Sequence, residues 1–64
     1  MKNMYDIQQL LKRFGIIIYT GNRVSDLQLI DMEITELFKT QLITKEEYVT
    51  IKQIIQREIS NHRG

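Results

Sequence analysis

The chain has no cysteine and no proline, and among its 64 residues it carries a single histidine and three glycines. Without cysteine there are no disulfides and no thiolate metal sites. His62 alone makes no histidine-based metal cluster. Without proline, no helix need be broken from within. The glycines are scattered at 15, 21 and 64, so no glycine-rich phosphate loop is present. No apolar run approaches the roughly 18 to 20 residues of a membrane-spanning helix. The first residues, MKNMYDIQQ, lack the continuous apolar core of a secretory signal. A cytoplasmic protein with no membrane association is therefore expected.

What is present suits a small folded unit, residues 1–64 forming one helical domain. At 42% hydrophobic the chain is too apolar for a disordered tail. It is also short, and a chain of this size buries only about 60% of its unfolded surface. Efficient helix packing or a partner must supply the rest of its stability.

Charge is unevenly spread. Residues 1–24 carry Lys2, Lys12, Arg13 and Arg23 against Asp6, a net of +3. Residues 25–47 carry six acids against Lys39 and Lys45, a net of −4. Residues 48–64 carry Lys52, Arg57 and Arg63 against Glu58, a net of +2. Two basic ends thus flank an acidic middle. This is weaker than the bias of a dedicated duplex-DNA binder. It allows a local basic face if the two ends meet in space.

Apolar periodicity and capping residues predict three helices. The first covers about 4–14, with Met4, Ile7, Leu11 and Phe14 in one stripe beside Leu10. Asn3 is its N-cap and Gly15 its left-handed stop. The second covers about 26–40, opened by a Ser25/Gln28 capping box. Its apolar face reads Leu27, Ile30, Ile34, Leu37, Phe38 and Gln41, with Leu29 and Met32 off the stripe. The third covers about 45–61. Thr44 and Glu47 form its capping box, and Ile43 can staple onto Tyr48. Tyr48, Ile51, Ile55 and Ile59 face inward with Ile54 beside them, while Lys45, Lys52, Gln56 and Arg63 face water. The expected fold is all-α: a compact three-helix domain with an extended connector between helices 1 and 2.

That connector, GIIIYTGNR over 15–23, prefers β geometry at its isoleucines. Three readings are open for it. The isoleucines fall alternately into the helical core, the stretch pairs as an edge with another copy, or it forms a fourth short helix.

No catalytic set is visible, and the protein is expected not to be an enzyme and to need no cofactor. Glu46 and Glu47 sit in a first helical turn, where the dipole explains them. Asp26, Asp31 and Glu33 lack the loop spacing of a calcium site. One stretch has the residue types of a binding surface. Single-stranded nucleic acid is held by aromatic faces that stack on bases and by cations that track phosphates. Tyr19, Tyr5, Lys12, Arg13 and Arg23 supply both, and Thr20 and Asn22 add hydrogen-bonding groups. The same residues also suit a structural loop or a protein contact.

Tyr5-Asp6-x-Gln8-Gln9-Leu10-Leu11-Lys12, then Gly15, then Ile18-Tyr19-Thr20-x-Asn22-Arg23, then Asp26-Leu27-Gln28-Leu29, then Glu36-Leu37 and Gln41-Leu42-Ile43 follow one another in order. In this the chain resembles the YqgQ-like family of small cytosolic bacterial proteins along nearly its whole length. The resemblance implies a three-helix protein, with single-stranded RNA or DNA binding as the role proposed for its members. Carried over by position, the implied site residues are Tyr19, Asn22 and Arg23, with Lys12 near them. Residues 34–55 also resemble a short helical-hairpin module found at the ends of many bacterial proteins, which implies protein docking or oligomerisation. The preferred reading is a small binding or regulatory protein for single-stranded nucleic acid, acting through Lys12, Arg13, Tyr19, Asn22 and Arg23. The alternative is a protein-interaction or self-association module on the hairpin of helices 2 and 3, driven by Leu29, Met32, Val49 and Ile54.

Overall fold

A computed structural model describes residues 2–63. Met1 and Gly64, the two ends of the expected domain, lie outside the described residues, as does the Arg63 side chain. Three helices follow in order: α1 (Met4–Arg13), α2 (Arg23–Lys39) and α3 (Lys45–Arg63). There is no strand among the described residues, and the all-α reading holds.

Helix ends are set by local hydrogen bonding. The Asn3 side chain accepts from the Asp6 N–H at 3.1 Å, and the Asp6 carboxylate accepts from the Lys2 N–H at 2.9 Å. These bonds satisfy donors that the first turn leaves free. At the other end of α1, Gly15 takes φ +76. Its N–H donates to the Lys12 carbonyl, and the Ile16 N–H donates to the Leu11 carbonyl. This is the two-bond Schellman closure, which needs a left-handed residue where glycine sits. α3 opens with the reciprocal box expected of it. Thr44 Oγ1 accepts from the Glu47 N–H at 3.1 Å, and the Glu47 carboxylate accepts from the Thr44 N–H at 2.8 Å.

α2 departs from expectation at both ends. It begins at Arg23, three residues before the predicted start, and Asn22 is its N-cap, accepting from the Ser25 N–H at 3.0 Å. Ser25 therefore sits inside the first turn as the donor, not at the cap. At the C-terminal end the helix stops at Lys39 with Thr40 as cap. Gln41 does not extend the apolar face; it is exposed at φ +62 and closes a second Schellman motif. The Leu42 N–H reaches the Leu37 carbonyl at 2.8 Å, and the Gln41 N–H reaches Phe38. A left-handed non-glycine residue costs roughly 1–2 kcal/mol; glycine removes that strain but loses part of the gain to its greater unfolded-chain entropy. Gln41→Gly is expected to stabilise the protein by about 0.5–1 kcal/mol, seen as a melting temperature higher by about 3–6 °C.

α2 and α3 run antiparallel, and their cross-contacts form a ladder. Phe38 stacks on Tyr48 with ring centroids 4.2 Å apart. Lys52 pairs with Asp31 and lies over the Tyr48 ring. Arg23 pairs with Glu58 at 3.4 Å. Falling numbers on α2 meet rising numbers on α3, as the five-residue turn requires. Lys52 was expected to face water; it is half-buried in this seam instead.

The core gathers Met4, Ile7, Leu10 and Leu11 from α1, Leu27, Ile30, Ile34 and Leu37 from α2, and Ile51, Ile54 and Ile55 from α3, with Ile43 from the turn. Phe14 is the cap of α1 and is exposed, not part of the inner stripe. Ile54 is buried in the core, so it offers nothing to a docking face. α3 continues to Arg63, past the expected fraying point near Asn61.

The connector is neither a helix nor a strand. Ile16 and Ile18 pack against the core, while Ile17 between them is 78% exposed. Side chains that alternate in this way belong to an extended chain. The far end of the connector is tied to α2 through Asp26. Its Oδ1 accepts from the Thr20 N–H at 2.7 Å and from the Thr20 hydroxyl at 2.6 Å. Asp26 is the one charged residue in the buried set among the described residues. Its two donors satisfy a carboxylate that would otherwise be costly to bury.

Candidate nucleic-acid interface

An open groove of about 230 Å³ lies between α1 and the connector. Tyr5, Gln8, Gln9 and Lys12 line one side, spaced i, i+3, i+4 and i+7 along a single helix face. Ile17 and Tyr19 come from the connector on the other side. Leu11, Ile16, Ile18 and Ile30 lend it an apolar floor. The groove exists because the connector runs extended and is fastened at both ends, by the Schellman closure after Leu11 and by Asp26 at Thr20.

Two tyrosines stand open at this groove, Tyr5 at 66% exposure and Tyr19 at 85%. Buried tyrosines fill cores; tyrosines this exposed, on one concavity and beside an apolar floor, offer ring faces to a planar ligand. Lys12 contributes a cation at the same groove. Among the described residues no ion pair engages it. Gln8 and Gln9 bring amides that both donate and accept.

Of the five residues expected to form the site, Lys12 and Tyr19 line the groove together. Arg13 is the last residue of α1, exposed and adjacent to Lys12 but outside the lining. Asn22 caps α2 through its side-chain oxygen. Arg23 turns toward Glu58 on α3, with its side chain still 39% exposed. Thr20, expected to offer hydrogen bonds to a ligand, gives its hydroxyl to Asp26. Gln8, Gln9 and Ile17 were not anticipated as groove residues. The helical spacing of Gln8 and Gln9 with Tyr5 and Lys12 was the available signal.

Among the described residues no group of three acidic, histidine or cysteine side chains is placed to hold a metal ion. No described helix is long and apolar enough to cross a membrane. The arrangement suits a ligand with flat apolar rings, hydrogen-bonding edges and negative charge.

Comparison with known proteins agrees with the resemblance to this family along nearly the whole chain. The YqgQ-like family model matches residues 1–61. A protein of Bacillus subtilis (strain 168), "Uncharacterized protein YqgQ", is 36% identical over 64 residues, which span all of this chain and 90% of that protein. The chain belongs to the YqgQ-like family.

Proposed function

We propose that this protein is a non-enzymatic binder of single-stranded RNA or DNA, with bases held in the groove between α1 and the connector. Tyr5 and Tyr19 stack on bases, Lys12 contacts phosphate, and Arg13, Asn22 and Arg23 extend the contact along the backbone past the groove. The observation that carries this reading is the pair of exposed tyrosines on one apolar groove that Lys12 also lines. Stacking on aromatics together with phosphate-tracking cations is how single strands are gripped without reading a duplex.

The test is fluorescence anisotropy of labelled single-stranded RNA and DNA oligomers at about 50 and 200 mM salt. If Lys12, Arg13 and Arg23 each contact a phosphate, affinity falls by about 20-fold between those salts, from roughly 0.7 released counterions per contact. Tyr19→Ala is expected to weaken binding by about tenfold or more and to leave the salt slope unchanged, because stacking contributes about 1–3 kcal/mol per base. Arg23→Ala is expected to lower the slope by roughly 0.7. Both side chains lie outside the core, so thermal stability should move by less than about 1 kcal/mol. Absence of binding at high micromolar protein overturns the reading.

That result would favour the second one. Leu29 and Met32 are exposed on the outer face of α2, and Val49 is exposed on α3. Association through them would make the melting temperature depend on protein concentration.

A further inference from the structure

The two basic ends of the chain meet. Lys2, just before α1, faces α3 across an open cleft of about 350 Å³. α3 contributes Thr50, Gln53 and Arg57 at i, i+3 and i+7, one face of a rigid helix, and the buried Ile54 underlies them. Lys2 is held in register by its backbone N–H, which donates to the Asp6 carboxylate, while Asn3 caps the same turn. Two cations, a hydroxyl and an amide thus converge on one concavity.

Two of the acids near the cleft have partners of their own. Glu58, next to Arg57 in sequence, pairs with Arg23. Asp6 accepts from the Lys2 backbone and closes the α1 cap. Among the described residues no ion pair engages the Lys2 ammonium or the Arg57 guanidinium. Like charges brought together repel, and an anion between them removes that repulsion. A guanidinium fork can take both non-bridging oxygens of a phosphodiester, while an ammonium offsets its single negative charge and a hydroxyl donates to it.

We infer that the cleft of Lys2, Thr50, Gln53 and Arg57 is a phosphate-binding site that takes a backbone phosphate of the same strand whose bases occupy the tyrosine groove. This rests on the nucleic-acid reading proposed above. The two concavities flank the start of α1: Tyr5 lines the groove, and Lys2, three residues earlier, lines the cleft. A strand leaving the groove past Tyr5 reaches Lys2 first and Arg57 next. The occupied surface then runs from the connector, around the N-terminus of α1, to α3. The protein recognises a length of strand and not only a pair of bases.

The experiment uses the full chain with labelled oligothymidylates of about four and about twelve nucleotides. The double variant Lys2→Ala/Arg57→Ala is compared with Tyr19→Ala. The double variant should bind the longer oligomer about tenfold more weakly, with a salt slope reduced by roughly 0.7 for the one phosphate lost, and the shorter one within twofold of wild type. Tyr19→Ala should weaken both. If the double variant binds the longer oligomer as wild type does while Tyr19→Ala does not, the cleft is no part of the site and the groove reading stands. Equal weakening of both lengths also overturns the inference, since it reports general charge and not a separate contact. If neither oligomer binds the wild-type protein, groove and cleft fall together.

Discussion

Ile55→Ala is expected to leave the protein largely unfolded at about 25 °C. Ile55 has no exposed surface, and it shares that state with Ile7, Leu27, Ile34 and Ile51. Removing three buried carbons costs the lost transfer energy plus the cavity left behind, together about 2–5 kcal/mol. A domain of this size has roughly 3–5 kcal/mol in total. The chain contains no cysteine, so no disulfide limits the loss. α3 also lies where relaxation is hard, since α2 packs along it and the core they share is rich in β-branched side chains such as Ile30, Ile34 and Ile51. Far-UV circular dichroism with a urea titration reads the result. Two controls separate packing from composition. Ile55→Val should lose only about 0.5–1.5 kcal/mol. Ile17→Ala removes the same atoms from a side chain 78% exposed, and should cost less than about 0.5 kcal/mol. A cooperative melt of Ile55→Ala less than about 10 °C below wild type would show that the core closes over the gap.

The three helices and their inner faces are legible in the sequence because burial repeats at 3.6 residues. Ile7, Leu11, Leu27, Ile30, Ile34, Ile51 and Ile55 are all read correctly from spacing alone. Caps are legible where only one arrangement fits, as at Asn3 and at Thr44 with Glu47. The start of α2 is not, because Asn22 and Ser25 are both good caps three residues apart. The choice falls to Asn22 because Asp26 must then lie one turn into the helix, where its carboxylate meets Thr20. No local rule contains that tertiary contact. The end of α2 fails for a related reason: a glutamine at φ +62 gives no warning in the sequence that a glycine would give. In the candidate site, Tyr19 and Lys12 are recognisable by type. That Arg23 turns to Glu58, 35 residues away in the chain, and that Lys2 and Arg57 line one cleft depend on the packing of α1 and α2 against α3. The uneven charge along the chain hints that the ends could share a face, and gives no indication of which cations would do so.

Asp26→Ala is expected to uncouple the connector from the helices and to lower stability by about 2–3 kcal/mol, or about 10–20 °C in melting temperature. One oxygen of this carboxylate accepts two hydrogen bonds from Thr20, and hydrogen bonds to a charged acceptor contribute more than neutral ones. Alanine leaves both donors to water and takes a charge from the first turn of α2, where the helix dipole favours an acid. The core side chains of the three helices take no part in these hydrogen bonds, so helix content should survive below the new melting temperature. What should go is the fixed position of Ile17 and Tyr19, and with it the wall of the groove. The Thr20 amide reports this directly: its hydrogen-exchange protection should vanish in Asp26→Ala while amides such as Ile51 and Ile55 stay protected. Asp26→Asn retains a carbonyl acceptor of the same shape and should lose about half as much stability, with Thr20 still partly protected. Single-strand affinity should follow the Thr20 amide and not the melting temperature, since a tyrosine on a loose tether must be ordered again on binding. Full affinity in Asp26→Ala, with Thr20 exchanging freely, would show that Tyr19 needs no anchored connector to reach a base.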